Sequence, residues 1–211
     1  MVFDCDGVVL DSNRIKTEAF RTAALPFGPE SADRLRAYHL ENGGVSRYLK
    51  FRHFLESIVE GEAPAGSYER LLDRYAAEVG RELSTASVAP GLQRIRDETR
   101  SATWILASGG DQTELRGVFE ERGLSRFFDG GIYGSPTPKD EILASCRDRG
   151  LLDRPALFLG DSRYDFEVAS DFGLDFLFVE AWSEFQEWQD HQRVHGYRSV
   201  RTLSGLLDGI A

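Results

Sequence analysis

The spacing of apolar positions divides the chain into three stretches. Residues 1–12 begin with Met1-Val2-Phe3 and continue into an acidic, glycine-containing segment, which predicts a short strand running into a loop. Residues 13–88 carry a helical period. Val45, Tyr48, Leu49, Phe51, Phe54, Leu55 and Ile58 recur at three- and four-residue intervals, as do Tyr68, Leu71, Leu72, Tyr75 and Val79. Asn42-Gly43-Gly44 stops one helix, and the Gly- and Pro-containing segment 61–67 links two others. From residue 89 onward strands and helices alternate. Ala89-Pro90-Gly91 opens a helix, and strands are expected over 102–107, 130–133, 156–159 and 175–179. Helices are expected over 139–149 and from the 160s to Phe172. Asp111-Gln112-Thr113-Glu114 matches a helix-capping box with Asp111 in the Ser/Thr role. Residues 181–195, with Trp182, Phe185 and Trp188 among acidic residues, read as an amphipathic helix packed on the core; a lid or partner surface is the alternative. Strands alternating with helices imply an α/β fold with a parallel sheet covered on both faces, and such sheets bind ligands at the carboxyl ends of their strands. The expected organisation is a core of residues 1–12 and 89–211, interrupted by an all-helical unit at 13–88.

Composition narrows the partners. A length of 211 residues suits one sizeable domain, or a core with a small insert. The net charge of −10 argues against a nucleic-acid surface. It remains compatible with an anionic substrate, provided that a bound cation reverses the field locally. Cys5 and Cys146 are too far apart in sequence to suggest a disulfide framework or zinc cluster, and a reduced, cytoplasmic setting is the expectation. No apolar run approaches the ~20 residues of a membrane span. The acidic N-terminus does not read as a signal peptide, although so short a first strand leaves open whether residues precede Met1. A monomer or weak homodimer is expected.

The candidate chemistry lies at predicted strand ends. Asp4 and Asp6 follow the first strand, and Asp161 and Asp165 follow the strand at 156–159. Parallel strands would bring these acids to one edge. Four converging carboxylates repel one another unless a cation joins them, and magnesium, a hard oxygen-seeking ion, suits such a set.

The segment Asp4-Cys5-Asp6-Gly7-Val8-Val9-Leu10-Asp11-Ser12 resembles the signature of the haloacid dehalogenase superfamily, Asp-x-Asp-Gly-[Thr/Val]-[Leu/Val]-x-Asp-Ser. Gly160-Asp161-Ser162-Arg163-Tyr164-Asp165 resembles the acidic fourth motif of that family, and Ser108, followed by Gly109, stands where the family has a phosphate-binding Ser or Thr. Of the chain's lysines, Lys16 and Lys50 fall in the helical insert, which leaves Lys139 as the core candidate for the family's lysine. It departs from the commoner pattern, in which the lysine precedes Pro-x-Pro-Asp, by about two positions.

The resemblance implies a Rossmann-like core with a helical cap at 13–88, as in the branch containing phosphoglycolate phosphatases and beta-phosphoglucomutases. It further implies that Asp4 is the nucleophile and Asp6 the general acid/base. Ser108, Gly109 and Lys139 would bind phosphate, and Asp4, Asp6 (through its carbonyl), Asp161 and Asp165 would hold magnesium, Asp165 through water or by orienting Lys139. Asp6 favours phosphoryl transfer over dehalogenation, which has no use for a second acid. Gly44-Val45-Ser46-Arg47 resembles the beta-phosphoglucomutase cap loop and makes Arg47 a substrate-binding candidate; an Arg facing solvent is the alternative. Lys50, Arg52 and His53 read as a solvated helix face, with a basic cap patch as the alternative, and Arg14 and Lys16 near the hinge are candidates to face the cleft. Cys5 is expected to have no redox role. The implied activity is magnesium-dependent hydrolysis of a small phosphomonoester, a sugar or sugar-acid phosphate, through an aspartyl-phosphate. The alternatives are a phosphomutase and a non-catalytic binding protein of the same fold.

Overall fold

The computed structural model describes residues 1–152 and 155–209. Its centre is a six-stranded parallel sheet in the order β3-β2-β1-β4-β5-β6. The strands are β1 (Val2–Phe3), β2 (Ile105–Asp111), β3 (Gly131–Ser135), β4 (Leu157–Gly160), β5 (Asp175–Val179) and β6 (Arg198–Val200). The chain first fills the sheet to one side of β1, then returns to fill the other. The order therefore reverses between β1 and β4, where an open α/β sheet leaves a crevice.

Side chains on β1 alternate between the sheet's faces. Phe3 packs with Leu106, Leu159, Trp104 and Phe128, whereas Val2 packs with Ile105, Ala107 and Phe158 in a separate cluster on the other side. Four helices, α1 (Asn13–Ala24), α2 (Pro29–Glu41), α3 (Arg47–His53) and α4 (Ser67–Leu83), enclose a third core. Phe20, Phe51, Phe54 and Tyr75 lie at its heart, and α3 continues into a wider π-helical turn, Phe54–Ile58. Helices α5 (Leu92–Glu98), α6 (Gln112–Glu121), α7 (Lys139–Asp148), α8 (Arg163–Asp171) and α9 (Trp188–His195) accompany the sheet.

Several elements differ from the expectations. Strand β2 runs beyond Ala107 through Ser108-Gly109-Gly110, because Asp111 still pairs with Ser135 of β3 after a register shift. Only the second half of 181–195 is helical. The first half is a loop that crosses the sheet's carboxyl edge, held where Asn13 Nδ2 donates to the Trp182 carbonyl at 2.8 Å and Ser183 Oγ to the Asp161 carbonyl at 2.6 Å. Strand β6 was not legible: it is short, polar and on the sheet edge, without an apolar alternation. Leu49, counted within the apolar period of α3, is 51% exposed.

Trp104 is fully buried, packs tilted against Phe3 with ring centres 4.4 Å apart, and donates from Nε1 to Thr99 Oγ1 at 3.0 Å. Trp104→Ala is expected to lower the unfolding free energy by about 3–5 kcal/mol, read as a lower urea midpoint with unchanged slope.

Candidate active site

The β1–α1 loop is built by local hydrogen bonds. Val9 and Leu10 N–H groups both donate to the Cys5 carbonyl at 2.9 Å, and Gly7 N–H to the Leu10 carbonyl at 2.8 Å. Gly7 has φ +77°, and a Cβ there would strike the Asp161 carboxylate. Glycine is thus required both by backbone conformation and by the close approach of the neighbouring loop.

Asp4 is anchored by its own N–H on the Leu159 carbonyl at 2.9 Å and is buried beneath the cleft. Lys139, the first residue of α7, reaches across β1. Its Nζ lies 2.9 Å from Asp4 Oδ1 and 2.5 Å from Asp165 Oδ1. The approach to Asp4 is off the line of a hydrogen bond, so Asp4 Oδ1 is buried without a hydrogen-bond partner. Burial, only partly offset by Lys139, pushes the Asp4 carboxyl up to about 7. For Lys139 burial favours the neutral amine, but Asp165 and Asp4 outweigh it and keep the ammonium charged.

Asp165 is fully engaged. Its Oδ2 accepts from Ser162 Oγ at 2.6 Å and from the N–H groups of Ser162 and Asp161, completing a capping box at the start of α8. Asp161 carries the more available carboxylate: Asn13 Nδ2 donates to its Oδ2 at 2.6 Å. Burial, reinforced by Asp4 and Asp165, raises its pKa well above the ordinary range.

One oxygen each of Asp4, Asp161 and Asp165 lies within 4.8 Å of the others. Three carboxylates face one ammonium, and one buried oxygen lacks a hydrogen bond. This donor set fits a hard divalent cation.

Asp6 stands apart from that cluster. Its carboxylate accepts from Ser12 Oγ and Lys16 Nζ, both at 2.6 Å. Burial acts to raise its pKa, but Lys16 and Ser12 hold it below the ordinary value. Ser108 is fully buried; its Oγ accepts from the Gly110 N–H at 2.9 Å and lies 3.4 Å from Asp6 Oδ2. Gly109 meets the helical unit directly, since a Cβ there would fall on the Gly44 carbonyl.

Between the sheet's carboxyl edge and the helical unit lies a cleft of 260 Å³. Asp4, Asp6, Lys16, Lys50, Asp161 and Glu184 are among the residues that line it. The expected residues Asp4, Asp6, Ser108, Gly109, Lys139, Asp161 and Asp165 are thus brought to one end of the sheet.

Arg47 is placed differently from either expectation. It is 5% exposed, so it does not face solvent. It lines the cleft, yet its guanidinium is already bidentate on Glu114, with Nη1–Oε1 at 2.8 Å and Nη2–Oε2 at 2.6 Å, and lies over the Tyr75 ring. Glu114 therefore leaves the reciprocal half of the capping box unmade, although Asp111 does accept from the Thr113 and Glu114 N–H groups. The solvated-face reading fails at Lys50, which is 1% exposed; Arg52 is exposed and His53 half-buried against Tyr38. Lys16 enters the cleft, whereas Arg14 is exposed.

A family model described as haloacid dehalogenase-like hydrolase matches residues 1–179. The chain belongs to the haloacid dehalogenase-like hydrolases. It is 25% identical over 223 residues to a phosphoglycolate phosphatase of Rhodobacter capsulatus, covering 99% of this chain and 96% of that protein. In structure it is similar to a hydrolase from Pseudomonas syringae, with TM-score 0.73, 19% identity and coverage of 100% and 98% of the two chains. A haloacid dehalogenase-like family protein from Streptococcus pneumoniae aligns with TM-score 0.69, 18% identity and coverage of 98% and 95%. This hydrolase is a phosphatase of that family.

Asn13 was missed as a site residue, and Lys16 was expected to face the cleft without a partner being named for it. The available signal was their position one and four residues after Ser12 of the motif, a helical interval that places both on the cleft-facing side of α1. Asn13→Ala frees the Asp161 carboxylate. It is expected to weaken divalent-cation binding about 10–100-fold by calorimetry, with little change in far-UV circular dichroism.

Proposed function

We propose that this hydrolase cleaves a small phosphomonoester by transferring the phosphoryl group to Asp4 and then to water, with magnesium as cofactor. The observation that carries this reading is the juxtaposition of Asp4, Asp161 and Lys139 at the switch point of the sheet, opening into the 260 Å³ cleft.

Asp4 is the attacking group: its carboxylate is set by β1 at the cleft and paired through Oδ1 with Lys139. Lys139 and the Ser108–Gly109 segment hold the phosphoryl oxygens and stabilise charge as it develops. Asp6, oriented and kept ionised by Lys16 and Ser12, removes a proton from the attacking water; it delivers one to the leaving oxygen only after taking a proton up as the substrate enters. Asp4, Asp161 and the Asp6 carbonyl would hold magnesium, with Asp165 fixing Lys139 from behind. When bound, the cation supplies the positive charge that lets a phosphate dianion enter an acidic site.

Residues 13–88 act as a cap. In the closed arrangement the Gly44 carbonyl meets Gly109, and Tyr48 Oη donates to Asp111 Oδ2 at 2.7 Å beside the Arg47–Glu114 pair. Closure removes bulk water from the reacting groups. A phosphomutase would need a clamp for a second phosphate. Arg47 was the candidate, and its engagement by Glu114 favours hydrolysis.

Phosphate release from a panel of sugar phosphates, sugar-acid phosphates, nucleotides and phosphoglycolate tests the reading. Turnover of at least one ester is expected with magnesium and none with EDTA; no metal-dependent turnover of any ester would refute it. Asp4→Asn is expected to lower kcat by at least about 10³-fold. Asp6→Asn should lower it about 10²–10⁴-fold while magnesium binding, followed by calorimetry, persists.

A further inference from the structure

Lys50 is the least accommodated charge in the cleft. It is 1% exposed and lies on α3, in the cap wall. Its Nζ is 2.7 Å from His39 Nδ1 and 5.3 Å from the centre of the Phe20 ring. Among the described residues no carboxylate forms an ion pair with it. The other cap cations at the cleft each have a counterion, Asp6 for Lys16 and Glu114 for Arg47, although Arg47 Nε lacks a hydrogen-bond partner. His39 is itself kept neutral, first by burial and then by Lys50, so its ring accepts from Lys50 and brings no compensating charge.

An amine sealed into a cleft without a counterion is costly unless the missing charge arrives with a ligand. We infer that Lys50 is a specificity-determining residue that binds a carboxylate at the end of the substrate remote from its phosphoryl group, selecting phosphorylated hydroxy acids over the corresponding phosphorylated alcohols. This inference rests on the phosphatase reading and specifies its substrate class.

Three observations support a carboxylate. One ammonium balances one negative charge, and neither Lys16 nor Arg47 is free to assist with a second phosphate. Burial, followed by repulsion from Lys16, lowers Lys50 to about 7, as expected of a lysine awaiting its counterion. The cleft, at 260 Å³, approaches the roughly 300 Å³ lower end of ordinary ligand pockets and is roomier than a two-carbon acid needs. Glu184, which accepts from Thr17 Oγ1 at 2.5 Å, adds an acceptor for substrate hydroxyls.

The test compares 6-phosphogluconate with glucitol 6-phosphate, which differ only by carboxylate against hydroxymethyl, and uses p-nitrophenyl phosphate as a reference without either group. The native enzyme is expected to prefer the acid by about 10–100-fold in kcat/KM, the worth of one charge-assisted hydrogen bond. Lys50→Met should abolish that preference by raising KM for the acid, with kcat and both other substrates changed less than about threefold. Its Tm should stay level or rise, because an uncompensated buried charge has been removed; Lys50→Gln provides a second, polar variant. Equal native kcat/KM for acid and alcohol would overturn the inference, as would a loss in Lys50→Met shared by all three esters. Hydrolysis of p-nitrophenyl phosphate with no preference for the acid refutes only the role of Lys50. Failure to hydrolyse any ester refutes the phosphatase reading and this inference together.

Discussion

Lys139, held between Asp4 and Asp165, is the contact on which the rest of the site depends. All three groups are almost completely buried, and none would be tolerated alone there. The ammonium ties the end of β1 to the first turns of α7 and α8, while Asp165 spends its other oxygen capping α8. The carboxyl edge is therefore assembled from three chain segments that this ammonium cross-links, beyond the backbone pairing of β1 with β4. Asp161 adds a third carboxyl group, so the cluster holds more acids than the single ammonium of Lys139 can balance when they ionise. Such a donor set suits a hard divalent cation.

The cap is coupled to this edge through the start of α6. Asp111 and Glu114 stand at the N-terminus of that helix, where negative charge is favoured by the helix dipole. The same two carboxylates receive Tyr48 and Arg47 from the cap, directly beyond the Ser108–Gly109 segment. The helix terminus thus follows directly on the Ser108–Gly109 segment and is also where the helical unit meets the sheet. The approach of the Gly44 carbonyl leaves no room for a side chain at Gly109, and a Cβ at Gly44 would press on Ser162 Oγ.

Lys16 and Lys50 show how far environment differentiates one residue type. Both are buried cations of the helical unit, facing the same cleft. Lys16 meets Asp6, so the ion pair overcomes burial and its charge is secured. Lys50 meets a neutral imidazole and an aromatic ring, and burial prevails. The first orients a protein group; the second is left for something from outside the chain.

The sequence by itself determined the alternation of strands and helices, the helical stretch after the first loop, and the residues that follow strand ends. Those features are local: Asp4, Asp6, Ser108, Asp161 and Asp165 each sit where an apolar run stops, and Lys139 is the core's own lysine. Tertiary structure decided what the cap's charges do. Lys50 adjoins Phe51 on the boundary of the apolar face of α3, where helical spacing does not say whether a side chain turns inward. Its burial arises where α1, α2 and α3 pack together, and the pairing of Arg47 with Glu114 only where the helical unit meets the sheet. The loop after β5 was likewise misread as helix, because its aromatic residues suggested packing while its order comes from Asn13 and from Ser183 on the Asp161 carbonyl. Periodicity reports which face of an element is apolar, whereas the fate of a buried charge is settled by a partner distant in sequence.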